Sequence, residues 1–366
     1  MIPASADLAP TAPSLVPANE HATVPVLAPA TEHAPTTEHA LGPREWAPRE
    51  AAHRERADAL TAGRRDRTLR HEKHPIEDFL FTYYSVTPGQ LRRWHPGAGV
   101  VLVGAGIPES DGALPERAGW REYRAVASRR PDDLVFDAAA FLERRGSTVD
   151  FVDRLLRSTL EQPATLGCFG LHEWAMVYRQ TPDELRHSSL PLRLGHAGTD
   201  AVVEANPIRC SHFDAFRFFT PEAVPRNELR PTRATQPDME QSGCLHAGMD
   251  VYKWASKLGP AVPGELLLDC FVLARDIREL DMRASPYDVT GWAGADGRPL
   301  EPVAIETPDG KREYARLQAG FAERGNALRE RVLDAITDLR RAGTGGAGNA
   351  GSASGAGGAG PRTAGR

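Results

Sequence analysis

The run from Ser242 to Leu258, SGCLHAGMDVYKWASKL, places apolar side chains almost all the way round a helix and interrupts them with one narrow polar stripe. His246, Asp250, Lys253 and Lys257 recur at i, i+4, i+7 and i+11, the spacing that puts side chains on a single helical face. Leu245, Met249 and Tyr252 flank the stripe on one side, and Val251, Trp254, Ala255 and Leu258 on the other. A helix apolar over most of its surface belongs inside a domain. An imidazole, a carboxylate and an ammonium carried into a core must pair with one another or face a cavity, because an unpaired buried charge is costly. The stripe therefore predicts either a closed structural network or a reaction site.

Working outward, Gly264 to Arg283 reads as a second buried helix, with Asp281, Arg283, Tyr287 and Asp288 forming a polar cluster around Pro286 at its end, where side chains can face a cleft. On the other flank, Thr220 to Gly243 is Pro-rich and aperiodic and predicts a long loop carrying Arg226, Arg230 and Arg233. Ile208 to Phe219, IRCSHFDAFRFF, reads as a strand or irregular core segment; as a strand it would put His212 and Asp214 on one side. Asp200 to Ala205 predicts a short helix. TLGCFGLHEWAMVYRQTPDE sets His172 and Glu173 in an apolar helix ended by Pro182, and as adjacent positions they are expected to point in two directions.

Farther out, Phe136 to Gln162 predicts helical material with Gly146 as a candidate break point, and Arg312 to Arg340 a final amphipathic helix. Arg44 to Arg70 reads as a solvated helix, basic at Arg64, Arg65, Arg67 and Arg70 but diluted by Asp58, Asp66 and Glu72. Phe79 to Trp94 concentrates aromatic rings, with Pro75 opening a helical turn and Pro88 breaking it; most rings belong to a core, beside Arg92 and Arg93. Gly99 to Gly104 and Trp120 to Val126 read as strands. Ile107-Pro108 directly after Gly104-Ala105-Gly106 excludes a phosphate-cradling turn that opens a helix. The fold class expected is mainly α with a small β-sheet (α+β): one globular catalytic domain over residues 44–342, between a disordered Ala/Pro/Thr-rich tail at 1–43 and a disordered Gly/Ala-rich tail at 343–366.

Of the net charge of −5, the first tail supplies −4 and the last +2, leaving −3 for the middle of the 366 residues. The global basic footprint of a DNA-binding protein is missing, so any such contact must come from a local patch. The four cysteines, Cys168, Cys210, Cys244 and Cys270, are too few and scattered for a disulfide framework and suit a reducing, cytoplasmic setting. No apolar segment is long enough to cross a bilayer, and the prolines and Asp7 near the start give no signal-peptide pattern.

Three separate segments offer Cys near His: Cys168 and His172, Cys210 and His212, Cys244 and His246. Three imidazoles with a carboxylate or thiolate would make a zinc or iron site, although neither compact Cys pairs nor His at i and i+4 occur. A second chemistry uses carboxylates without metal. Hydrolysing an N-glycosidic bond needs a carboxylate to stabilise a developing sugar cation or to activate water, and a lysine can replace water as nucleophile. Asp250 with Lys253, or Asp281 beside Arg283, supplies such groups, with aromatics to hold an extruded base.

HPIEDFLFTYYS with QLRRWHPG, GCFGLHEWAMVYRQ, RCSHFDAFRFFTP, GCLHAGMDVYKWASKL and LDMRASPYD together resemble a family of actinobacterial proteins labelled 3-methyladenine DNA glycosylase, over most of Trp46 to about Leu339. Val262-Pro263-Gly264 and Asp281 also follow the order of a helix-hairpin-helix glycosylase, with Leu266 where a second glycine is expected. The resemblance implies a DNA base-excision repair enzyme that releases alkylated purines such as 3-methyladenine from damaged double-stranded DNA, with no cofactor and no protein partner. Catalytic candidates are Asp250, Lys253, His246, Asp281, His172 and Glu173; substrate-binding candidates are His212, Asp214, Arg283, Tyr287, Trp254 and Arg230. The alternative is a metal-dependent hydrolase or other small-molecule enzyme built on His172, His212 and His246 with a zinc or iron ion.

Overall fold

The computed structural model describes residues 39–347 apart from 109, 111, 127, 128 and 186–188. Its first element is a strand, β1 (His39–Leu41), which lies within the stretch expected to be tail, and α1 (Pro43–Leu69) follows at once. Residues 1–38 and 348–366, most of the two expected tails, lie outside the described residues. β2 (Val100–Leu102), β3 (Tyr123–Ala125) and β4 (Leu134–Phe136) complete a four-stranded sheet in the order β1-β2-β4-β3. β1 and β2 run parallel with His39 opposite Val100, while β4 is antiparallel to both its neighbours, setting Val101 against Val135 and Tyr123 against Phe136.

Between β1 and β2, α2 (Asp78–Tyr83) and α3 (Pro88–Leu91) carry the aromatic segment. Pro88 opens α3 instead of breaking a helix: Thr87 caps the turn, and proline at the first helical position loses no hydrogen bond. The basic run of α1 is neutralised by its surroundings, with Arg64 and Arg67 paired to Asp78, Arg67 also to Glu77, and Arg65 to Asp58. α4 (Ala138–Glu161) continues through Gly146 without a break.

α5 (Leu171–Ala175) is a single turn entered through Gly170, which adopts a left-handed φ of 72°. α6 (Gly195–Ala205) follows, then α7 (Phe213–Phe216), so His212 and Asp214 lie at the start of a short helix and not on a strand. The Pro-rich loop contains α8 (Gln236–Met239). α9 (Leu245–Leu258) is the helix marked by its apolar circumference, and its side chains are buried apart from those of His246, Lys253, Ser256 and Lys257. α10 (Gly264–Ala284) packs along α9, close enough that a methyl group added at Gly248 would come within 2.9 Å of Ile277 Cδ1. α11 (Pro308–Ala347) closes the domain against α4, α9 and α10. Among the described residues no helix is long and apolar enough to cross a membrane.

Candidate functional site

The polar stripe of α9 meets polar side chains from four other segments, and the result is two adjoining groups. In the first, the ligand atoms of His172, Glu173, His246 and Asp281 lie within 4.8 Å of one another. His172 Nε2 is 3.0 Å from Asp281 Oδ1, and its Nδ1 is 3.5 Å from Cys168 Sγ. The rings of His172 and His246 meet edge to face at 4.4 Å. Arg278 closes the group from α10, with Nη1 3.3 Å from Asp281 Oδ2 and 3.6 Å from Glu173 Oε1, and with its guanidinium 4.1 Å from the Phe79 ring. His172 and Glu173 are neighbours yet reach one site; about 100° separates successive helical positions, and the longer Glu side chain spans the difference.

In the second group Lys253 Nζ bridges Asp214 Oδ2 at 2.5 Å and Asp250 Oδ2 at 2.8 Å. Asp250 Oδ1 accepts from Tyr84 OH at 3.1 Å, and His212 Nε2 stands 3.7 Å from Asp250 Oδ2. His212 Nδ1 lies 2.9 Å from Glu240 Oε1, a charged contact that is not aligned as a hydrogen bond. The rings of His212 and His246 stack at 5.4 Å and join the two groups.

Burial and neighbouring charge set opposite protonation states. Burial alone would lower His172, but the charge and hydrogen bond of Asp281 hold it well above the usual histidine range. Burial would raise Asp281, and the facing imidazoles and Arg278 hold it well below the usual carboxylate range instead. Burial drives His246 far down, helped by the positive charge of His172, so it presents a neutral imidazole. Glu173 is pushed up to about 7 by burial and by the like charge of Asp281, against the pull of Arg278. Lys253 loses solvation, yet Asp250 and Asp214 more than offset that and raise it above its usual value. A lysine so held remains an ammonium at neutral pH, which removes it as a nucleophile.

Eight sequence-derived candidates come together: His172, Glu173, His212, Asp214, His246, Asp250, Lys253 and Asp281. Four do not. Arg283 is two positions beyond Asp281, roughly 200° round the helix, and it donates to Glu301 O at 2.7 Å on another side. Tyr287 is carried past the end of α10 into a separate hydrophobic cluster with Ile76, Val177, Leu190 and Met282. Trp254 is buried edge-on to Phe151, beneath Lys253. Arg230 folds back on carbonyls of its own loop, Leu229 and Pro225.

Glu240, Arg278 and Tyr84 join the centre without having been singled out. Arg278 stands at i, i+3 from Asp281, a legible signal; Glu240 sits in an aperiodic loop and has none.

Fold and site together define a mainly helical α+β protein with a buried histidine–carboxylate centre between its helices. Comparison with known protein families, with curated proteins and with solved structures finds no match to this chain.

Proposed function

We propose that this protein is a metal-dependent hydrolase whose ion is held by His172, His246 and Asp281, with Glu173 alongside. The observation that carries the reading is the convergence of these four side chains, from α5, α9 and α10, to ligand atoms within 4.8 Å of one another. Tetrahedral ligands at about 2.1 Å from an ion lie about 3.4 Å apart, so the widest pairs of the set must close by up to about 1.4 Å to share one. Two imidazoles with carboxylate oxygens suit zinc or iron(II) better than calcium or magnesium. Such an ion, when bound, would supply Lewis-acid activation of water, and its binding would displace the proton that His172 shares with Asp281. Glu173, whose carboxyl burial and Asp281 push up to about 7 in the ion-free protein, would stand beside that water to take up and return a proton. Cys168 and Arg278 fix the orientations of His172 and Asp281.

The test is a panel of ester, amide, phosphoester and N-glycoside substrates, assayed on purified protein before chelation, after it, and after return of zinc or iron(II). Activity should vanish on chelation, recover with the ion and be absent from His246→Ala. Activity indifferent to both treatments would overturn the reading. A second reading, metal-free base excision from alkylated DNA, draws on the family resemblance and on Asp250. That carboxylate is held by Tyr84 and Lys253, beside the stacked rings of Phe79 and Tyr83, 5.0 Å apart. It requires release of methylated base that survives chelation and is lost in Asp250→Asn.

A further inference from the structure

A second feature owes nothing to the histidine centre. An open cavity of about 340 Å³ is lined by Arg54 of α1, Thr87, Gly89, Gln90, Arg92 and Arg93 around α3, and Glu116 and Trp120. We infer that this cavity binds a phosphate group through Arg54, Arg92 and Arg93.

Charge comes first. The ion pairs that run around the cavity join five guanidiniums (Arg54, Arg65, Arg92, Arg93 and Arg117) to three carboxylates (Glu50, Asp58 and Glu116). That leaves a local surplus of two positive charges in a chain whose net charge is −5. Donor geometry comes second. Arg54 meets Glu50 at 2.7 Å, Arg92 meets Asp58 at 3.0 Å, and Arg93 meets Glu116 at 3.3 Å. A guanidinium carries five N–H donors, so one carboxylate apiece leaves most of them for another anion. The same carboxylates restrain the arginines, which lowers the entropy lost on binding.

The remaining wall selects the ligand class. Thr87 Oγ1 and Gln90 Oε1 are taken up in capping each other's backbone, so neither oxygen is free to read a base edge. The Trp120 ring already has the guanidiniums of Arg93 and Arg117 each 5.3 Å from its centre, together with the His95 ring, so it forms a wall and offers no open stacking platform. Glu116 at the rim disfavours bulky polyanions approaching from its side. What the cavity rewards is a compact, multiply charged phosphate oxyanion that three guanidiniums can contact through paired N–H groups.

Calorimetric titration of the full chain with inorganic pyrophosphate tests this, with a single-stranded oligothymidylate in a parallel arm. Saturable binding near one per chain is expected, weakened about tenfold or more in Arg92→Ala and in Arg93→Ala and unchanged by prior chelation of the protein. All three arginines are substantially exposed, so these variants should keep the fold, which far-ultraviolet circular dichroism checks. Oligonucleotide binding through the same arginines, tighter than that of pyrophosphate and with the steeper salt dependence of a polyanion, would overturn the selection of a compact anion. Binding of pyrophosphate alone would identify a free or small-molecule phosphate. Absence of saturable binding, binding indifferent to both arginine variants, or binding abolished by prior chelation would each overturn the inference.

Discussion

Asp281 balances two buried cations, His172 and Arg278, from a position only 1 % exposed. Removing that charge without removing its partners should be among the most damaging single changes in the chain. Asp281→Asn in metal-stripped protein is expected to lose about 3–5 kcal/mol, the usual consequence of leaving a buried charge unpaired, as read by urea denaturation; a loss below about 1 kcal/mol would mean that the pair is far more solvated than its burial implies. Histidines elsewhere set the acid limit. Burial pushes His95 down to about 3 and also lowers His53, away from an ordinary value of 6.5. A depressed histidine binds its proton more weakly in the folded chain than in the unfolded one, so stability is retained above about 6.5 and lost as pH falls toward the folded value. Unfolding free energy should therefore drop by a few kcal/mol between pH 6.5 and 4, and His95→Gln should flatten that slope; an unchanged slope would assign the acid sensitivity to other groups.

At the scale of elements, the centre depends on where α9 begins. Gly243, just ahead of it, donates to Gln241 Oε1 at 2.7 Å, and its carbonyl accepts from Gln318. A Cβ there would stand 2.5 Å from the backbone oxygen of Thr165, which has nowhere to go, whereas at Gly248 the obstacle is the tip of Ile277. Gly243→Ala should thus cost roughly 1–3 kcal/mol and displace His246, while Gly248→Ala should cost less; thermal melts of both variants check the order. The same elements show what could be read in advance. α9, α10 and α4 were legible because their apolar positions follow the helical period over many residues. β1 and β4 are no shorter than β2 and β3, but β1 hides in Ala- and Pro-rich sequence and β4 buries all three of its residues, so neither shows alternation. IRCSHFDAFRFF looks like a strand by composition, but its aromatic residues pack into the core from a turn and one short helix, an outcome that tertiary contacts decide. Lys257 keeps the period of the polar stripe yet is exposed, since α9 ends at Gly259 before the stripe can stay covered.

For the whole molecule, the recurrence of Cys beside His in three distant segments was the strongest sequence signal of the centre, and the histidines of all three do meet. The partition into two groups, with Glu240 and Arg278 completing them, follows from how α5, α8, α9 and α10 pack, which local spacing does not encode. An ion bound only by the folded chain stabilises it by mass action, roughly 4 kcal/mol at a thousandfold excess over Kd. Chelation should therefore lower the melting temperature of the metal-loaded protein by several degrees, and addition of zinc should restore it. Stripped protein that melts at the same temperature with and without zinc would remove that linkage.

The most direct measurement is equilibrium dialysis of stripped protein against zinc, with bound metal quantified by mass spectrometry in the native chain and in His172→Ala and His246→Ala. One ion per native chain, and none in either variant while both keep native circular dichroism, is the predicted result. A well-folded native chain that retains no stoichiometric ion, or variants that retain it undiminished, would contradict the assignment of His172, His246 and Asp281 as a metal centre.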